Sequence, residues 1–249
     1  MIDLHRDFLR VPLSHRGYHD AALGLAENSA AAIQAAVDVG YGIELDLQPS
    51  ADGQAMVFHD ATLDRVTGQS GFVRDLTAQE LAEIPLLGST DTIPTLPDIL
   101  KIVDGTTPLL IELKSQGQKD DGVLETATAR ALQTYPGPVA VMSFDPRMVA
   151  RLAQLLPSVA RGLTTGSYGP NWSEPPQVRE RLRDIPDYDA VQASFISHEA
   201  ADLTCARVAG LKDQGAAILT WTIRSQADET KARKIADKIT FEGYAAVLP

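Results

Sequence analysis

Residues 42–48 read Gly-Ile-Glu-Leu-Asp-Leu-Gln, an apolar run that carries two acidic residues. Successive side chains of a β-strand point to opposite faces, so Glu44 and Asp46 share one face while the aliphatic residues between them take the other. We therefore predict a strand whose apolar face packs against helices and whose acidic face points into the interior of a closed sheet.

Seven other apolar runs of similar length occur along the chain, and most segments between them have the periodicity of helices. This alternation predicts a (β/α)₈ TIM barrel that forms a single domain over residues 1–249. A doubly wound open sheet is the alternative, but no glycine-rich dinucleotide turn follows the first run. The predicted strands are 11–16, 42–48, 108–114, 139–144, 160–165, 190–195, 217–223 and 244–248, and the clearest predicted helices are 28–39, 121–135, 146–156, 201–214 and 226–239.

One segment departs from this alternation. The turn at 50–53 leads directly into a second apolar run at 54–60, which is too close for a crossover helix and predicts a β-hairpin. If Pro49 opposes Gln54, His59 lies opposite Glu44. Residues 60–96 then form an irregular insertion over the barrel mouth, with one short helix at 77–83.

The charge of the chain limits its partners. It contains 22 Lys and Arg against 33 Asp and Glu, a formal net charge of −11. This sign disfavours binding to nucleic acids or to anionic membranes, which depends on basic residues. We expect a small-molecule substrate, and an anionic one would require a local cluster of positive charge.

Targeting signals are not evident in the sequence. No apolar run is long enough to cross a bilayer, and residues 1–17 do not have the pattern of a secretory signal, so a cytoplasmic location is expected. The one cysteine, Cys205, cannot form an internal disulfide, and its helical context indicates a buried small hydrophobic residue.

Acidic residues lie at the carboxyl ends of two predicted strands, where barrels of this type carry their reactive groups. Glu44 and Asp46 share a face of one strand, and Glu112 lies near the end of another. Desolvation and mutual repulsion both oppose the ionisation of clustered carboxyl groups unless a cation neutralises them. Carboxylate oxygens favour a hard ion, so we predict one divalent cation, Mg²⁺ or Ca²⁺.

Two histidines and two basic residues flank these acids. His15 and His59 have the side chain best suited to exchanging protons near neutral pH, and a pair of them permits general acid and general base catalysis. Arg16 and Lys114 would supply the positive charge for an anion such as phosphate. The sequence thus predicts displacement at phosphorus. The remaining histidines, His5, His19 and His198, are interpreted as ordinary core or surface residues.

Short motifs follow one another in a fixed order along nearly the whole chain. They are HRG at 15–17, ENS at 27–29, IELDL at 43–47, ADG at 51–53, VFHD at 57–60, IELK at 111–114, SFDP at 143–146 and LTWTI at 219–223. This ordered set resembles the glycerophosphodiester phosphodiesterase family, most densely over residues 14–115.

The resemblance implies a metal-dependent TIM barrel with a small insertion after the HD motif, which hydrolyses glycerophosphodiesters to sn-glycerol 3-phosphate and an alcohol. It also implies that a neighbouring glycerol hydroxyl attacks phosphorus and that water then opens the cyclic phosphate. By this resemblance, several residues of the chain match functional positions of the family. They are Glu44, Asp46 and Glu112 as metal ligands, His15 and His59 as acid and base, Arg16 and Lys114 as phosphate contacts, and Phe144 and Trp221 as apolar residues of the mouth. For the two aromatic residues, core packing is an equally good explanation.

The chain departs from the family pattern at a few positions. Ala26 and Ser29 stand where the family usually has proline and threonine, and Arg224 replaces a common asparagine. The residues 243–249 lack the usual late aspartate. These differences bear on substrate preference more than on chemistry, because every charged residue that the mechanism requires is present.

Two alternatives to hydrolysis of soluble headgroup diesters stay open. A lysophospholipase D or phospholipase C-like activity on lipids predicts an apolar patch near the mouth, and no basic amphipathic segment for reaching a membrane is evident. A catalytically silent barrel that binds phosphodiesters predicts the loss of a histidine or of a metal-binding acid, and none is lost.

Overall fold

The computed structural model describes residues 2–119, 121–170, 172 and 175–249. Eight parallel strands within these ranges close into a barrel, in the order β1, β2, β4, β5, β6, β7, β8 and β9, with β9 paired to β1. β3 is antiparallel to β2 and lies outside the closed ring. The strands are β1 (Leu13–Ser14), β2 (Gly42–Pro49), β3 (Ala55–Val57), β4 (Leu109–Leu113), β5 (Val139–Ser143), β6 (Ala160–Thr165), β7 (Phe195–Glu199), β8 (Ala217–Ile223) and β9 (Lys238–Phe241). The predicted TIM barrel is confirmed.

Helices surround this barrel and begin at residues suited to capping. Ser29 accepts a hydrogen bond from the backbone of Ala32, and Thr77 forms a capping box with Glu80. None of the helices in the described part of the chain is both long and apolar enough to cross a membrane. The helices are α1 (Ala30–Val39), α2 (Asp64–Thr67), α3 (Ala78–Ala82), α4 (Leu96–Val103), α5 (Val123–Leu132), α6 (Pro146–Leu155), α7 (Pro176–Arg183), α8 (Ala206–Asp213) and α9 (Gln226–Ala232).

The barrel interior is divided into an apolar half and a polar half. At the amino-terminal ends of the strands, Leu13, Leu110 and Phe195 pack with Phe8 of the N-terminal segment. The ring of Phe195 takes the space beside Gly162, where a Cβ would lie 2.3 Å from a ring carbon. This packing closes one end of the barrel, so the cavity opens only toward the carboxyl ends of the strands.

Two predicted strands were wrong. The sixth strand of the barrel is β7 (Phe195–Glu199) rather than 190–195, and the eighth is β9 (Lys238–Phe241) rather than 244–248. Residues 190–194 form a turn whose Val191 is buried, and Ala246 is buried while its carbonyl accepts a hydrogen bond from Tyr41. Each of these apolar runs is only partly buried, since Ala190, Val247 and Leu248 are exposed, and neither run forms a strand.

The hairpin after β2 forms, but its register differs from the prediction by one residue. Pro49 pairs with Ala55 and Leu47 with Val57, because the turn closes with a hydrogen bond from the backbone N–H of Ser50 to the carbonyl of Gln54. His59 therefore does not lie opposite Glu44. The following residues, 60–96, contain α2 and α3 and pack around a separate apolar cluster that includes Phe58, Val73, Leu81 and Ile93.

Candidate active site

Three buried carboxyl groups meet at the carboxyl ends of β2 and β4. Parallel pairing places Asp46 beside Glu112, and the alternation of side chains in β2 turns Glu44 to the same interior face. The three groups are at most 5% exposed, and one oxygen from each lies within 4.8 Å of the others. We call Glu44, Asp46 and Glu112 the carboxylate trio.

The electrostatics of the carboxylate trio call for a cation. Burial raises the pKa of Glu44 well above its ordinary value, and the neighbouring Asp46 and Glu112 raise it further. Burial also raises the pKa of Glu112. It would do the same for Asp46, but the charges of Lys114, His59 and Arg16 outweigh it and lower the pKa of Asp46.

The Lys114 ammonium supplies part of the positive charge that the carboxylate trio requires. Its Nζ lies 2.7 Å from Oδ1 of Asp46 and 2.5 Å from Oε1 of Glu112. Oδ1 of Asp46 is buried and accepts no well-aligned hydrogen bond within the described structure. Buried carboxylate oxygens with unused acceptor capacity suit a hard divalent cation, and the carboxylate trio could therefore hold Mg²⁺ or Ca²⁺.

His15 and His59 flank the carboxylate trio, and a carboxylate contacts the Nδ1 atom of each ring. Nδ1 of His15 contacts Glu242, and Nδ1 of His59 lies 2.6 Å from Oδ1 of Asp60. An ionised carboxylate only accepts hydrogen bonds, so each contact favours a proton on Nδ1 and a free Nε2. The hydrogen bond with His15 lowers the pKa of Glu242, which keeps that partner ionised.

The predicted register placed His59 opposite Glu44, but the carboxylate of the trio whose charge acts on His59 is Asp46. Burial lowers the pKa of His59, and the charge that opposes this shift is that of Asp46. His15 is the ring near Glu44, with Nε2 3.9 Å from its Oε2, and burial lowers the pKa of His15 as well. Both rings are thus biased toward the neutral form, in which Nε2 can accept a proton, whereas an anion bound beside them would favour protonation.

Arg16 is fixed between the acids and the surface. Its backbone adopts a left-handed conformation, with φ of 55°, and its N–H donates to Glu44 at 3.1 Å. Its side chain donates to Glu27 at 2.9 Å, and its Nε lies 3.3 Å from Asp46. Asn28 of the ENS motif completes this corner, because its side chain both donates to and accepts from Asp46.

An ion-pair chain that the sequence analysis did not identify joins Arg16 to His59. Arg65 in α2 donates two hydrogen bonds of 2.7 Å to Glu27 and one of 2.6 Å to Asp60. Glu27 holds Arg16 at its other side, and Asp60 holds His59. The ENS and HD motifs marked both acids, but no sequence pattern showed that one guanidinium connects them.

Glu242 was missed because the last strand was misplaced. It directly follows β9, so an acid stands at the end of the last barrel strand although residues 243–249 contain no aspartate. The three other histidines were set aside, and two of them are ordinary: His5 is exposed, and buried His198 is hydrogen-bonded to Thr165 and Asp202. His19 lies 3.7 Å from Glu242.

An aromatic wall borders the cavity above the acids. Phe144 contacts both Trp221 and Trp172, with ring centroids 5.7 and 5.6 Å apart. The cavity has a volume of about 310 Å³ and is lined by these rings together with His15, His59, Arg16, Lys114 and two members of the carboxylate trio. The structure thus brings the predicted site residues together around one opening, and it adds Trp172.

Comparison with known proteins gives a consistent result. The sequence model of the glycerophosphoryl diester phosphodiesterase family matches residues 15–238. YhdW of Bacillus subtilis, a candidate glycerophosphodiester phosphodiesterase, is 31% identical over 230 residues, or 88% of each chain. A glycerophosphodiester phosphodiesterase of Caldanaerobacter subterraneus is 27% identical over 226 residues, or 87% of this chain and 86% of its own.

The fold is also shared with solved structures. A phosphodiesterase of Oleispira antarctica, solved in complex with its product sn-glycerol-3-phosphate, superposes with a TM-score of 0.77 at 22% identity. The superposition covers 94% of this chain and 93% of that one. At this level of identity the likeness shows that the barrel architecture is the same.

Proposed function

Because the chain belongs to the glycerophosphoryl diester phosphodiesterase family, whose members are phosphoric diester hydrolases, we propose that it hydrolyses glycerophosphodiesters to sn-glycerol 3-phosphate and an alcohol with one divalent cation, Mg²⁺ or Ca²⁺. The observation that supports this most directly is the shared cavity: Glu44 and Glu112 of the carboxylate trio, two carboxylate-bound imidazoles and two fixed cations line one space of about 310 Å³, and Asp46 lies within the same carboxylate cluster. We expect soluble diesters such as glycerophosphocholine and glycerophosphoethanolamine as substrates.

Binding of the diester follows from the fixed positive charges. Arg16 and Lys114 line the cavity and would contact the phosphate oxygens, with Arg16 offering a planar pair of donors. Phe144 and Trp221 would pack against the glycerol or alcohol part. A cation held by the carboxylate trio would neutralise its charge and stabilise the negative charge that develops on the phosphoryl oxygens.

The two imidazoles would move the protons. In the first step one ring accepts the proton of a glycerol hydroxyl as its oxygen bonds to phosphorus, and the other donates a proton to the departing alcohol oxygen. This yields a cyclic phosphate. In the second step the two imidazoles exchange roles. Water adds to phosphorus, and the cyclic phosphate opens to sn-glycerol 3-phosphate. Glu242 and Asp60 would hold the two rings and stabilise their protonated forms.

The proposal is tested by product release. Metal-stripped protein is incubated with glycerophosphocholine or glycerophosphoethanolamine, and sn-glycerol 3-phosphate is measured before and after Mg²⁺ or Ca²⁺ is added. We expect release only with a metal, because the carboxylate trio needs a cation. Folded, metal-supplied protein that releases no product from either substrate would contradict the proposal.

A second candidate function is favoured by exposed apolar residues on the mouth side of the barrel. Leu23 in the loop after β1 is 72% exposed, and Phe72 and Leu87 in the segment after β3 are 51% and 59% exposed. Exposed apolar side chains in segments that follow the carboxyl ends of barrel strands suit a lipid substrate. Lysophosphatidylcholine in the same assay separates the two activities. Faster cleavage of lysophosphatidylcholine than of glycerophosphocholine would support the activity on lipids.

The ion-pair chain gives a prediction about positioning. Arg65→Lys is expected to lower kcat/KM by about 10- to 100-fold, because lysine cannot hold Glu27 and Asp60 together and both His59 and Arg16 would lose a fixed partner. Steady-state kinetics with glycerophosphocholine measures the effect. Arg181→Lys is the matched control, since Arg181 makes a similar two-bond contact with Asp187 at the surface. Equal kinetics for both variants would contradict a role for the chain in catalysis.

A further inference from the structure

A second group of possible metal ligands lies beside the carboxylate trio. His15 and His19 follow β1, and Glu242 follows β9, so the pairing of these strands brings the three together. One ligand atom from each lies within 4.8 Å of the others, and all three residues are partly buried. We call His15, His19 and Glu242 the histidine cluster.

The two oxygens of Glu242 have different surroundings. Oε1 accepts a hydrogen bond of 2.8 Å from Arg224, which fixes the orientation of the carboxylate. Oε2 contacts Nδ1 of His15 and lies 3.7 Å from Nε2 of His19. This Nε2 atom is buried and has no hydrogen-bond partner among the described residues. A buried ring nitrogen without a partner, directed at a carboxylate oxygen, is an arrangement that a cation would complete.

The donor atoms indicate which metal fits. The carboxylate trio offers oxygens alone and suits a hard ion, whereas the histidine cluster offers two imidazole nitrogens and one carboxylate oxygen, a set typical of Zn²⁺. Tetrahedral zinc with bonds of about 2.0 Å holds its ligands roughly 3.3 Å apart. The His19 to Glu242 separation of 3.7 Å is close to this value, and His15 would have to move away from Glu242 slightly.

We propose that the histidine cluster binds Zn²⁺ and that the bound ion inhibits the enzyme by occupying Nδ1 of His15. The inhibition rests on the proposed catalytic role of His15, whereas the binding does not. In either catalytic step, Nε2 of His15 must alternate between a proton and a lone pair while Nδ1 donates to Glu242. Zinc on Nδ1 leaves the ring proton on Nε2, so the ring can no longer accept one.

Binding is tested with Zn²⁺ itself. Wild-type protein saturated with Mg²⁺ is titrated by calorimetry, and the zinc-loaded form is examined by X-ray absorption. We expect binding of one Zn²⁺ with two imidazole ligands and no sulfur. His19→Gln should weaken this binding by at least ~10-fold. Cys205→Ser is the matched control, because His198, Asp202 and Cys205 are another histidine-containing group with converging ligand atoms in the described structure.

Inhibition is tested with the same variants. His19 does not line the cavity, so His19→Gln should keep its activity without zinc and resist inhibition by zinc that stops the wild type. The proposed zinc site would be wrong if no zinc binds, if sulfur is among the zinc ligands, or if His19→Gln binds zinc as tightly as the wild type. If zinc binds as expected but does not slow an active enzyme, the proposed inhibition is wrong. If zinc binds as expected to a protein that cleaves no glycerophosphodiester, the proposed function fails and the binding site stands.

Discussion

His59→Ala is expected to lower kcat for glycerophosphocholine by about 10²- to 10⁴-fold, the usual contribution of a general acid or base. The fold should be kept, because the His59 side chain is 31% exposed and its removal leaves no sealed cavity. The change deletes the imidazole that Asp60 holds at 2.6 Å but none of the carboxylate trio, so Mg²⁺ binding should persist. Steady-state kinetics at saturating metal, with the melting temperature of each variant, measures both effects.

A change of leaving group shows which proton His59 transfers. p-Nitrophenolate is a leaving group that needs no proton. A glycerophosphodiester of p-nitrophenol should therefore restore much of the activity of His59→Ala if His59 protonates the leaving oxygen. If His15 protonates the leaving oxygen instead, the same substrate should restore activity to His15→Ala. His5→Ala is the control, since His5 is exposed and remote from the cavity. Wild-type turnover by metal-loaded His59→Ala would contradict the acid and base assignment.

Glu112→Gln is expected to reduce activity by at least ~10²-fold and to weaken Mg²⁺ binding, because it removes one charged ligand of the carboxylate trio. The metal-free variant should be no less stable than the wild type. Burial raises the pKa of Glu112, so an ionised Glu112 opposes folding at pH values above that pKa, and the neutral amide removes this cost. Calorimetry of metal binding, thermal unfolding and product release test the three statements.

Glu125→Gln is the matched control for this variant. Glu125 is also a buried glutamate that pairs with a basic side chain, Arg151, but it lies between α5 and α6 and away from the cavity. Its replacement should cost stability and leave metal binding unchanged, since it breaks an ion pair without relieving repulsion. If both variants kept activity and metal affinity, the carboxylate trio would not be the metal site.

Local periodicity was enough to predict much of this protein. The alternation in residues 42–48 placed Glu44 and Asp46 on one face, and counting the apolar runs was enough to predict the barrel. These inferences succeeded because the direction of a side chain along a strand depends only on its immediate neighbours. The charged residues at strand ends could be predicted to meet for the same reason, since parallel strands end on one side.

Contacts between distant segments depended on the tertiary structure. Glu242 contacts His15 across 227 positions in the chain, and Arg65 reaches Glu27 across 38. The apolar run at 244–248 resembles a strand in sequence, but only Ala246 within it is buried and β9 lies before it, so the partner of His15 was missed. Barrel closure decides this contact, because β9 lies beside β1 only when all eight strands are in register. No local pattern carries that information, since the register is a property of the whole ring.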